Sequence, residues 1–340
     1  MPLSLWRTTG NMGQASAAIG ADIVDAHHHF YDTNEKHYSF LKSLGASPYL
    51  PEQYAEAVGE LPISRSVHID AMPDSGIAEV EWIESLIAAG RAPTVAAIVA
   101  AVNLAEEDVD AQLAAIVAAS SKVRGVRFMV DYEGPFDGGK NATHIAVSRH
   151  GNDYIRDTSG PAQAFERGFA LLAKHSLSFD LQCSPLQLDA AAALISRHPD
   201  VPVVVDHLGK VRHLALDGSD AETNKLAVWR AGMTKLAALP NVYVKLSMLG
   251  YVVPGWHEDA KKEAFVRDLV REVIGLFGVN RCMFASNWHQ NGAAANADGV
   301  DATGPTMPEL YASFHEWVSD FSEADRRALF AGTAAKFYRI

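Results

Sequence analysis

The sequence predicts a single (β/α)8 barrel. Eight short β-branched runs alternate along the chain with segments of helical period. Several runs are almost wholly apolar, such as VAAIVAAVN and VPVVVDHL, which suits parallel strands covered on both faces. No glycine-rich phosphate loop follows the first run, and this weighs against an open doubly wound sheet. The runs cover residues 23–30, 65–72, 94–103, 123–130, 178–184, 202–208, 242–249 and 282–288. Helical spacing fills 78–90, 105–120, 160–176, 185–199, 222–240 and 259–278, several of these closing on Gly or Pro.

A barrel places its chemistry at the C-terminal ends of the strands, so each strand end is read for reactive side chains. In the first, IVDAHHHF, strict alternation puts Asp25, His27 and His29 on one side and His28 on the other. Two imidazoles two residues apart can converge on one ion or one substrate atom. The second ends in His68 and Asp70, weaker candidates of the same kind. The fourth, VRGVRFMV, holds Arg127 on the face of Gly125 and Met129. A charge in an apolar strand needs a partner, either an internal carboxylate or a substrate carboxylate gripped bidentately.

The fifth strand, ending FDLQCSP, sets Asp180 and Gln182 on one face, and the sixth ends at Asp206 and His207. The seventh, VYVKLSML, offers Lys245 and Ser247, and the eighth, CMFASNWHQN, offers Asn287 and His289 beside Met283 and Ala285. Residues 131–160 and 291–308 are long, polar and glycine-bearing, as loops over an active site are.

Composition narrows the partners. The 340 residues carry 29 Lys+Arg against 41 Asp+Glu, a net charge of −12, which disfavours nucleic acid. No run reaches the ~18 apolar residues of a membrane span. Cys183 and Cys282 have no CxxC spacing, so a reducing cytoplasm is the expected compartment and a small molecule the expected partner. Residues 1–20 are expected to form an N-terminal extension and 21–340 the barrel. Assembly into a homo-oligomer is compatible with this pattern.

At these residues the sequence resembles the amidohydrolase superfamily, in particular its amidohydrolase 2 branch. The match runs from VDAHHHFYD through GVRFMVDY, LSFDLQCSPLQL, VVVDHLGK, YVKLSML and CMFASNW to the terminal LFAGTAAKFYRI. Within the branch it is most similar to lactonases, the sugar-lactone, pyrone-dicarboxylate and muconolactone-type hydrolases. The resemblance implies hydrolysis of a cyclic ester at a site built from His27, His29, His207 and Asn287. The fullest pattern of the superfamily has a His or comparable ligand ending strand five and an Asp ending strand eight. Here Gln182 and Asn287 stand there, and a neutral amide is a poor metal ligand and no general base near pH 7.

Two versions of the chemistry follow. In one, His27, His29 and His207 hold a single loosely bound divalent metal, zinc first, with an open position for water. In the other no cofactor is required: one imidazole activates water while another, or Asn287, donates to the carbonyl oxygen. Arg127 would hold a substrate carboxylate in either case, with Gln182, His68, Lys245, Ser247 and His289 as further substrate contacts. The competing expectations are a metal-dependent decarboxylase of aromatic acids, an amidase or other carboxylic-ester hydrolase, and a barrel that binds a ligand without turning it over.

Overall fold

A computed structural model describes residues 22–132, 151–288 and 304–340. His289, the expected extension over 1–20 and most of the two expected loops lie outside the described residues. Eight strands follow in chain order: β1 (Ile23–His28), β2 (Ile63–Ile69), β3 (Val95–Ala101), β4 (Val123–Arg127), β5 (Ser178–Leu181), β6 (Val203–Val205), β7 (Val242–Leu246) and β8 (Cys282–Phe284). Each pairs in parallel with the next, and their order in the sheet is their order in the sequence. A parallel bridge from His28 to Trp288, with Asn287 N–H on the His27 carbonyl at 2.8 Å, closes β8 onto β1. The barrel is therefore as expected, with strands shorter than the apolar runs because their last residues peel away from the ladder to form the site.

The core has two layers. Between strands and helices lies a large apolar cluster, to which Phe165, Phe169, Trp229, Phe284 and Phe314 contribute buried rings. Inside the barrel the filling is smaller: Val24, Ala26, Val67, Ile69, Ala97, Val99, Val204, Met283 and Ala285. Phe337 and Tyr338 of the last helix, Thr333–Tyr338, join this inner cluster, so the end of the chain packs into the barrel interior. Close packing outside the barrel is visible at Gly168 of the helix Gly160–Lys174. A Cβ there would sit 2.0 Å from the carbonyl oxygen of Leu104, so only glycine lets helix and loop approach this closely. Among the described residues no helix is long and apolar enough to cross a membrane.

Candidate active site

Strict alternation fails on β1, and the failure builds the site. The β1–β2 register shifts between Asp25 and His28, an irregularity that re-aims side chains. Asp25 therefore does not join His27 and His29. It accepts from the hydroxyl of Tyr54 at 2.8 Å, and from the Ser286 amide at 2.9 Å and hydroxyl at 2.6 Å. Ser286 also donates to the His27 carbonyl at 3.2 Å. This carboxylate ties the end of β8 to β1 rather than facing substrate.

His27 and His29 do converge, with their Nε2 atoms 3.2 Å apart. His27 is fully buried and His29 half-buried at the rim. His207 joins them, its ring centroid 4.7 Å from that of His27. It reaches this place through an unusual backbone: His207, Leu208, Gly209 and Lys210 all have positive φ, at 56°, 54°, 65° and 58°. Three of these are not glycine, and such strain persists where surrounding structure enforces it, commonly at functional sites. Its Nδ1 lies 2.9 Å from the Ser247 hydroxyl. Asn287 also has a left-handed backbone, φ 54°, at the closure between β8 and β1.

Beneath the imidazoles lies a buried charged layer. Lys245 Nζ sits 2.5 Å from Asp180 Oδ2, 3.1 Å from Asp206 Oδ1 and 3.1 Å from His27 Nδ1. Asp180 also accepts from the Tyr338 hydroxyl at 2.9 Å. Arg127 gives Nε to Asp70 Oδ2 and Nη2 to the Asp70 carbonyl, both at 2.5 Å. Its Nη1 faces Gln182 Oε1 at 3.4 Å, His27 Nε2 at 3.5 Å and Asp206 Oδ2 at 3.6 Å. Of the two partners expected for Arg127 the structure shows the internal carboxylate, Asp70, because an unpaired guanidinium buried to 3% exposure would be costly. A bidentate clamp on substrate by Arg127 does not fit this arrangement.

Two other expected substrate contacts stand elsewhere. Lys245 is fully buried under His27. His68 turns to the outer layer, accepting from the Phe30 amide at 3.3 Å and lying 3.7 Å from Glu79. On β2 it is Val67 and Ile69 that point into the barrel, so His68 between them points out. Gln182 and Ser247 are brought to the cluster through Arg127 and His207. A buried pair, Lys210 with Asp131 at 2.6 Å, borders Gln182, whose amide donates to Asp131 at 3.3 Å.

Charge states follow from this burial. Desolvation, reinforced by Lys245, drives His27 well below the ordinary imidazole range. Burial likewise takes His207 down to about 3, so both rings are neutral near pH 7. Burial opposes the charge on Asp206, but Lys245, His207 and Arg127 outweigh it and hold the carboxyl below its usual range. A carboxylate and two neutral imidazoles therefore adjoin one another. Donor atoms of His27, Asp206 and His207 lie within 4.8 Å of one another, a cluster able to coordinate a metal ion. The 3.2 Å between His27 Nε2 and His29 Nε2 also matches two corners of a tetrahedral ion with ~2.1 Å bonds.

The family model described as amidohydrolase matches residues 24–340. The chain belongs to the amidohydrolase family. Relatives of this amidohydrolase include an L-fucono-1,5-lactonase of Burkholderia ambifaria, 28% identical over 322 residues that span 93% of this chain and 95% of that protein. An L-fucono-1,5-lactonase of Burkholderia multivorans is 29% identical, over 95% of this chain and 97% of its own. A crystal structure of an amidohydrolase from Burkholderia multivorans with bound zinc has a TM-score of 0.70 at 26% identity, covering 94% of this chain and 100% of that one.

Sequence reading named the histidines with Lys245 and Ser247 beside them, but missed other groups that support them. Tyr338 and Ser286 gave no local signal, since one hydroxyl among many polar residues has no period. Asp206 was visible only as the neighbour of His207, and the structure places it against His27, Arg127 and Lys245.

Proposed function

We propose that this hydrolase opens the lactone of a sugar acid. The observation that carries the reading is the convergence of three histidines above a buried carboxylate and two buried cations, at the strand ends of an amidohydrolase barrel. The full-length likeness to two L-fucono-1,5-lactonases supports a sugar-type ring. The sequence favoured a substrate carrying its own carboxylate, a reading that rested on a free Arg127. With two of its nitrogens on Asp70, and Lys245 shut beneath His27, a neutral lactone suits the site better.

In this reading water attacks the lactone carbonyl from the His207 side. His207, neutral and oriented through Nδ1 by Ser247, takes the water's proton on Nε2 and returns it to the departing ring oxygen. The developing oxyanion lies against Arg127 Nη1, the guanidinium nitrogen not held by Asp70. The product is an acyclic hydroxy acid. Asn287 fixes the β8 end against His27 by its backbone and needs no acid–base role. A metal, if bound, would be held by His27, His29 and His207 with Asp206, and would polarise the carbonyl and acidify water. The account requires none, and the enzyme is placed in the cytoplasm, in keeping with two buried, unpaired cysteines.

A panel of neutral sugar lactones, acidic lactones and aromatic acids, run in weak buffer with a pH indicator and with carbon dioxide measured, tests this. Acid release from neutral lactones, undiminished by chelator and without gas, is expected. Gas from aromatic acids would establish the decarboxylase reading instead, and inertness across the panel would leave a binding barrel.

A further inference from the structure

The nearest polar neighbour of His27 Nδ1 is an ammonium. An ammonium has three N–H donors and no acceptor. Lys245 has three acceptors around it: Asp180 Oδ2 at 2.5 Å, Asp206 Oδ1 at 3.1 Å and His27 Nδ1 at 3.1 Å. Two of the three are carboxylate oxygens and accept from it, so the third proton points at His27 Nδ1. That nitrogen must then carry a lone pair, and in the neutral ring the proton sits on Nε2.

The opposite edge accommodates the same tautomer, with His29 Nε2 nearer to His27 Nε2 than the donor Arg127 Nη1 at 3.5 Å. His29 Nδ1 lies 2.9 Å from the Ile69 carbonyl, a pure acceptor, so Nδ1 carries the proton of a neutral His29. Its Nε2 is then an acceptor, and it faces His27 Nε2 at 3.2 Å. One donor chain results: Lys245 to His27, His27 to His29, His29 to Ile69.

We propose that Lys245 is a positioning residue that locks His27 as an Nε2–H donor rather than a metal ligand. A metal-ligating histidine normally gives its other ring N–H to a carboxylate or carbonyl. Asp206 is the carboxylate placed to receive it, 3.5 Å from Nδ1, but Lys245 is nearer and offers only protons. The donors are thus near enough for a metal while the tautomer is wrong for one. Tyr338, bonded to Asp180, anchors this arrangement to the last helix. The catalytic consequence rests on the hydrolase reading above; the tautomer and the metal preference do not.

The test starts with the unaltered protein. Long-range 15N–1H correlation spectra, with the His27 signals identified by their loss in His27→Gln, are expected to show Nδ1 unprotonated and Nε2 protonated. A protonated Nδ1 overturns the proposal, and this measurement does not depend on any variant folding at position 245. In Lys245→Met, the Nδ1 proton is expected to move to the Asp206 side, freeing Nε2. Zinc affinity, measured by chelator competition, should rise by at least ~10-fold, the scale on which neighbours of ligands act. In the same variant kcat on a lactone should fall at least ~10-fold with KM little changed. An unchanged tautomer and unchanged zinc affinity in a folded variant would also overturn it. Inertness of the parent on every lactone, with the expected tautomer and zinc gain, would instead remove the lactonase reading and support the role given to Lys245.

Discussion

His207 is the residue on which the proposed proton transfer depends, and its neutral state follows from burial. Replacing it with Ala should lower kcat on a good lactone by at least ~10²-fold, the usual scale for losing an acid–base group. Steady-state kinetics on folded variant decide it, and a loss below about threefold would move the role elsewhere. Lys210 makes a separate prediction about stability. Burial, opposed by Asp131, brings its ammonium down to about 8 from 10.5. The unfolded chain therefore binds the proton more readily between those values, so stability rises as pH climbs from 8 toward 10.5. Below pH 8 the burden is full, on the order of 3 kcal/mol for such a shift. Melting temperatures across pH 7–10 should accordingly show a steeper upward slope for the parent than for Lys210→Met, and parallel curves would contradict this. These residues also show what sequence could reveal. A histidine at a strand end announces itself by type and position. A lysine such as Lys245 does not disclose whether its ammonium meets substrate or two carboxylates, because that depends on strands far apart in the chain.

Elements were legible where a period was long enough to measure. The eight strands and the main helices follow from alternating periods, and their parallel order follows from the helical crossovers between them. Two local departures escaped. The register shift on β1 turned Asp25 away from His27, and the left-handed turn from His207 to Lys210 carried His207 beside His27. Neither has a pattern in the sequence, since each arises from closure of the barrel rather than from local propensity. Close packing between elements gives a paired prediction. Gly168→Ala would set a methyl 2.0 Å from the Leu104 carbonyl oxygen and should cost about 1–3 kcal/mol. Gly275→Ala, in the helix Ala260–Phe277, meets nothing within 4 Å and should stabilise by about 0.5–1 kcal/mol. Thermal unfolding of both variants checks the pair, and equal melting temperatures would contradict it.

Across the whole molecule, the active site and the end of the chain form one connected structure. The helix Thr333–Tyr338 packs Ala334, Phe337 and Tyr338 onto the inner cluster of the barrel, and its last aromatic reaches Asp180, then Lys245, then His27. The amidohydrolase likeness over residues 24–340 therefore covers the supports of the site as well as its histidines. The central claim, that these residues direct water onto the carbonyl of a cyclic ester, is tested most directly by turning over a sugar lactone in 18O-water with chelator present. The account predicts one 18O per product, in the new carboxylate and not in the freed hydroxyl, at a rate that collapses in His207→Ala. Label in the hydroxyl, or a rate indifferent to both protein and variant, would contradict it.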